Sequence, residues 1–227
     1  MTAPRRWRTM LLGWLLAAGA LTGGCHAPLL LPLAFLEKMF PKDRVPPKFK
    51  LPAGKKVLVF PDDMLRPMSY PPAKRTLARR ANALLVEKKL VAGTVPYDRL
   101  IDLQHDDVNF NRRSVATVGR KLGADLVIYI SIDEFALKDS PVGTLWHGRF
   151  AGKVRVVDVV KGRLWPDESA GFPVRVEEPI TENASETYGT QLAQKLAERL
   201  AEEVVGLFHS HYVDRHRPRR SEPRGAQ

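Results

Sequence analysis

Apolar and polar positions follow three rhythms along this chain, and each rhythm predicts a different kind of element. Unbroken apolar runs predict buried strands. Lys55-Lys56-Val57-Leu58-Val59-Phe60-Pro61 is one, stopped by Asp62-Asp63. Ala124 to Phe135 is a longer one, apolar on both faces in its first half (a central strand) and alternating in its second. Apolar residues spaced by three and four predict helices. From about Ala73 to Leu90, Leu77, Ala81, Leu84 and Leu85 share one face. Ser114 caps a shorter helix whose inner face is Val115, Val118 and Leu122, with Gly123 as its stop. A final helix runs to about Tyr212, entered through a capping box of Asn183 and Glu186. Tyr188, Leu192, Leu196, Leu200, Val204 and Phe208 step by four along it, with Leu207 beside them.

Alternation predicts the remaining strands. Between Leu145 and Val160, Phe150, Gly152, Val154 and Val156 oppose Arg149, Lys153 and Arg155. The apolar face then switches to Val157 and Val159, which predicts a bulge near Val157. Lys161-Gly162 predicts a tight turn into Arg163-Leu164-Trp165, and Phe172 to Val176 reads as another strand. Thr94-Val95-Pro96 starts a short one, and 101–113 reads as a polar loop. The order β-α-β-α-β-β-β-α predicts a single α/β (α+β) domain over 55–212. Its mixed β-sheet would be covered by about three helices.

The first apolar run belongs to no fold. Met10 to Leu21 carries no charge, follows Arg5, Arg6 and Arg8, and ends at Leu21-Thr22-Gly23-Gly24-Cys25. It has the length of a signal h-region and is too short to span a bilayer. The segment resembles a lipobox. That resemblance implies cleavage between Gly24 and Cys25, removal of 1–24 as a signal peptide, and acyl chains on Cys25. Two or three chains give firm membrane attachment. His26 follows where inner-membrane retention in sorted lipoproteins calls for Asp, which favours the outer membrane. An uncleaved anchor, or a cut elsewhere, is the alternative.

The net charge of +11 changes the picture mainly at the two ends. Residues 25–54 read as a lipidated tether, first apolar (Pro28 to Leu36), then basic and proline-rich. Lys38, Lys42, Arg44, Lys48 and Lys50 would meet anionic headgroups, or would simply keep a linker solvated. Residues 213–227 form a basic tail expected to be disordered. An export signal argues against nucleic acid as the partner, and no aromatic residues interleave the basic ones as a stacking platform.

Candidate chemistry is sparse. Cys25 is the only cysteine and would be acylated. The chain has no Gly-x-Ser-x-Gly, Walker or dinucleotide-binding motif. His209 and His211, two apart on a helix, would point away from each other, so no metal and no cofactor is expected. Asp62-Asp63 stands where α/β proteins often place function, and it also suits an acidic turn. Asp133-Glu134 reads as a solvated strand exit. Asn183-Ala184-Ser185 matches a glycosylation sequon that a bacterial export signal makes idle. Trp146 and Trp165 read as closing the end of a core rather than as an exposed platform.

Leu122-Gly123-Ala124-Asp125 running into Leu126-Val127-Ile128 is familiar. So are the hairpin of Val156-Val157-Asp158, Lys161-Gly162 and Leu164-Trp165, and the opening Val57 to Phe60. Together they resemble the envelope lipoproteins around CsgG (curli secretion), LpoB (activation of a penicillin-binding protein) and the amino-terminal domain of TolB. The resemblance spans about 55–210 and implies a fold and a non-enzymatic role. The expected function is a lipid-anchored, periplasm-facing protein of the cell envelope that binds or scaffolds another envelope protein. The alternative is a homo-oligomeric secretion or transport component. A membrane pore would need two further amphipathic hairpins, for which the chain has little room.

Overall fold

The computed structural model describes residues 42–140, 144–182 and 185–214. Cys25, Gly24, Lys38, the Asn183 end of the capping box and most of the tail lie outside them. Two compact units divide the chain: Arg44–Val213, and Met1–Asp43 with Asp214–Gln227. The first is the folded domain. It begins at Arg44, ahead of the boundary at 55 expected from the basic, proline-rich composition.

The elements, in chain order, are β1 (Lys42–Val45), β2 (Lys56–Asp62), α1 (Pro72–Glu87), β3 (Gly93–Thr94), α2 (Tyr97–Asp106), a 3-10 turn (Phe110–Arg112), α3 (Val115–Lys121), β4 (Leu126–Lys138), β5 (Trp146–Asp158), β6 (Gly162–Trp165), β7 (Phe172–Glu177), α4 (Glu186–Gly206) and β8 (His211–Asp214). This is a mixed sheet with helices, the expected class. The main sheet has the order β3-β2-β4-β5-β6, with β7 also on β5. β3 and β4 run parallel to β2, and β5 runs antiparallel to β4. β6 and β7 follow one another along the outer edge of β5. β1 and β8 form a separate two-stranded sheet.

Local chemistry explains the joints. Ser114 accepts the Thr117 N–H and caps α3. Gly123 ends α3 at a φ of +70°, a conformation glycine adopts without penalty. Two residues on, Asp125 accepts the Lys56 N–H at 2.8 Å and aligns the starts of β2 and β4.

One face of the sheet carries Val59, Ile128, Ile130, Val154 and Val156, all buried. α1 and α4 cover it, and α4 brings Leu192 and Leu196 so close to Gly148 that a side chain there would collide with them. The apolar stripe of α4 is buried from Leu192 to Val204, as its spacing requires, and Phe208 is buried just beyond the helix end. Among the described residues, the opposite face is covered over its β2 half, by α2, the 3-10 turn and α3. There Gly119 lets α3 approach Val127 and Val159. Trp146 is buried against Tyr188, and Trp165 packs among Phe49, Phe172 and Phe208. Trp146 belongs to the core, and Trp165 packs against it partly buried.

Three expectations need correction here. The polar stretch read as a loop contains most of α2, because Pro96 precedes a helix whose Tyr97 and Leu100 are buried. The face of β5 does not switch at Val157: alternation runs unbroken from Trp146 to Asp158. Asp158 takes the inward position because its carboxylate accepts the N–H groups of Val160 and Lys161, which also holds its acid strength above the ordinary. The irregularity near Val157 exists, but in the pairing with β6. Finally, α4 ends at Gly206, so His209 lies in a turn and His211 on β8, with ring centroids 5.7 Å apart. The helical argument for separating them does not apply. Their Nδ1 atoms lie against the carbonyls of Val205 and His209.

Arg44 to Leu51, read as tether, is stitched to the domain. The Lys48 and Phe49 N–H groups both donate to the Leu207 carbonyl, at 2.8 and 3.1 Å. The Phe49 ring stacks on Trp165 with centroids 5.8 Å apart. Lys48 and Lys50 keep exposed side chains. No helix among the described residues is long and apolar enough to cross a membrane.

Candidate functional site

Strand alternation delivers a row of charges to the half of the sheet that no helix among the described residues covers. β5 contributes His147, Arg149, Lys153 and Arg155, which point opposite to its buried residues. β7 contributes Arg175 and Glu177, in register with Ala151 and Arg149. β4 contributes Asp133 and Glu134 around a register shift that places Glu134 opposite Ala151. Asp133-Glu134 is therefore part of this face rather than a strand exit.

These groups are ordered by one another. Arg149 donates to Glu134 at 2.7 Å and also pairs with Asp139. His147 sits between Asp139, at 3.0 Å from Nδ1, and Glu177, at 2.7 Å from Nε2. Arg175 reaches Glu134 at 3.5 Å, and Lys153 reaches Asp133 at 3.3 Å. Arg149 holds the Asp139 carboxyl below its usual range, helped by His147. His147 and Arg149 are only 18% and 20% exposed, so their geometry is set before any partner arrives. Arg175, at 52%, is open to contact.

A cleft of about 310 Å³ lies on this same face, where the cover of α3 and the 3-10 turn ends. Asp62 and Asp63, singled out in the sequence, line it at the end of β2. The acidic-turn reading holds: Asp62 accepts the Met64 N–H, and Asp63 accepts the Met68 N–H and the Lys74 ammonium at 2.5 Å. Burial pushes the Asp63 carboxyl up, but Lys74 and Met68 outweigh it, and the group sits below its usual range. Asp62 also accepts the Tyr129 hydroxyl at 2.5 Å. Burial first, and then this carboxylate, push the Tyr129 hydroxyl well above its ordinary value, so it stays a donor. Tyr129 and Phe110 escaped the sequence reading because one is interior to a strand and the other sits in an apparent loop. Only their register against Phe60 brings them to the cleft.

The structure does not gather the remaining expected residues into this region. His209 and His211 sit together elsewhere, and among the described residues no three His, Cys, Asp or Glu side chains form a metal site. Lys48 and Lys50 lie on the Arg44–Leu51 segment. For Lys42 only the backbone strand is described.

No protein-family model matches the chain, and no curated protein matches it. Several solved structures are similar to it. A lipoprotein, GNA1162 from Neisseria meningitidis, is 16% identical over 66% of this chain and 99% of its own, with a TM-score of 0.40. The PelC dodecamer from Paraburkholderia phytofirmans is 14% identical over 76% of this chain and 100% of its own, with a TM-score of 0.38. The LpoB C-terminal domain from Salmonella enterica is 18% identical over 56% of this chain and 84% of its own, with a TM-score of 0.33. All three TM-scores lie below 0.5.

Proposed function

We propose that this chain is a lipid-anchored, non-catalytic protein of the bacterial envelope whose domain binds another envelope protein through the uncovered face of β4, β5 and β7. Cys25 carries the acyl chains and the residues ahead of Arg44 form the tether. The observation that carries the reading is the ordered charge row on that face. Arg149 and His147 are already fixed by carboxylates, so binding them costs little side-chain entropy. Open Arg175 and Lys153 offer charged contacts that steer and orient a partner.

The sheet edges disfavour assembly by strand addition between copies. β3 is two residues long, and β7 carries Pro173 and Arg175. The test is the native mass of the full-length protein, mildly extracted from its own membrane, beside Cys25→Ala and Arg175→Glu. Loss of Cys25→Ala from the membrane, with a wild-type heteromeric complex that Arg175→Glu breaks, supports the reading. Retention of Cys25→Ala in the membrane overturns the anchor. A ring of identical copies replaces the partner with the homo-oligomeric alternative.

A further inference from the structure

Among the described residues, one charge in the cleft at the end of β2 has no ion-pair partner. Three charged side chains line it: Asp62, Asp63 and Arg113. Asp63 is paired with Lys74. Arg113 is paired with Asp107, which also holds Lys121. Asp62 is held only by neutral donors, the Tyr129 hydroxyl and the Met64 N–H. Among the described residues no cation lies within ion-pair distance of it. The Arg155 guanidinium lies over the Tyr129 ring, 5.8 Å from the centroid, and donates to the Ala170 carbonyl, and Arg66 donates to the Asp133 carbonyl.

The wall beside Asp62 is aromatic. Phe60 meets Phe110 at 6.0 Å and Tyr129 at 5.4 Å, both edge to face. Ring faces attract cations and repel anions. Met64, 55% exposed, follows Asp63 directly and provides an apolar lip. The volume is at the low end for a ligand pocket, enough for one small molecule or one long side chain.

We propose that this cleft binds an alkylammonium or alkylguanidinium group, with the cation on Asp62 and the stem along the aromatic wall and Met64. The inference stands without the partner reading, because its test uses small probes and no second protein.

The full-length protein in detergent is titrated with n-butylammonium, n-butylguanidinium, methylammonium and butyrate, followed by NMR of the Phe and Tyr rings. Saturable shifts with both butyl cations are expected, at millimolar Kd. Methylammonium should bind at least threefold more weakly, and butyrate should not saturate. Asp62→Asn should weaken the butyl cations at least tenfold while circular dichroism stays unchanged. Should Asp62→Asn fail to fold, the wild-type series and Met64→Ser decide: Met64→Ser should reduce the preference for butyl over methyl. Absence of saturation by both butyl cations, equal binding of butyrate, or unchanged affinity in folded Asp62→Asn would each overturn the proposal. A capped lysine tripeptide separates the two sources of such a group. Tighter binding than n-butylammonium assigns it to a protein side chain, and weaker binding assigns it to a free amine.

Discussion

Glu178 and Arg199 meet where the end of β7 passes under α4, with Glu178 only 4% exposed and Lys195 closing on its other oxygen at 2.8 Å. Burial pushes the Glu178 carboxyl up, but the bonds from Lys195 and Arg199 outweigh it and leave the group below its ordinary value. A carboxylate held lower in the folded state stabilises that state above its unfolded value and stops doing so as pH falls through the folded one. Glu178→Ala should therefore lower stability by about 2 kcal/mol at pH 7, since Arg199 loses its buried partner. The difference from wild type should shrink below the ordinary glutamate value of 4.5. Urea denaturation at pH 7 and at pH 3 checks both.

Gly152 is opposite Ile132, just before β4 shifts register, and a Cβ there would stand 2.6 Å from the Ser131 carbonyl oxygen. Backbone cannot swing aside as a side-chain tip can. Gly152→Ala should destabilise by about 2–4 kcal/mol or open the β4–β5 pairing. Gly93→Ala, where nothing lies within 4 Å, should change stability by no more than about 1 kcal/mol. Thermal melts of the two variants make the comparison.

Phe49 is the contact that turns a stretch of tether into part of the domain. Phe49→Ala removes the stack on Trp165 and should cost about 2 kcal/mol, less than a fully buried ring because Phe49 is only half-buried. Trp165 loses one aromatic neighbour, so tryptophan emission should shift red. An unchanged melt and spectrum would show that the segment is not held there.

Arg149→Gln should release Asp139. With the guanidinium gone, the Asp139 carboxyl moves up toward its ordinary value, leaving His147 as its remaining partner. Carboxyl NMR titration of Asp139 reads this directly, and no movement would mean that the charge row is not ordered in solution.

Much of this fold was legible because its signals are local. Gly123 after Val118 and Leu122, Asp125 before the β4 run, and the four-residue stepping from Leu192 to Phe208 each act within a few residues of themselves. What was not legible depends on long-range register. Composition could not show that Phe49, in a lysine- and proline-rich stretch, would find Trp165. Alternation could not show that Asp158 would face inward, because its burial is made acceptable by N–H groups of the following turn. α2 was hidden because its one buried turn sits among charges. At the cleft, Asp62-Asp63 stood out as a strand end, yet nothing local linked Asp62 to Tyr129. Their pairing exists only once β2 and β4 lie side by side.

The joint at Leu207 has a mechanical meaning. A pull transmitted along the chain from ahead of Arg44 does not load the main sheet first. It meets the β1–β8 ladder and the Arg44–Ser210 bond, then the two N–H groups of Lys48 and Phe49 on one carbonyl, then the Phe49–Trp165 stack. Those contacts can yield in sequence and let out slack while β2, β4 and β5 stay intact. A protein built this way would lengthen its reach under load before its core begins to open.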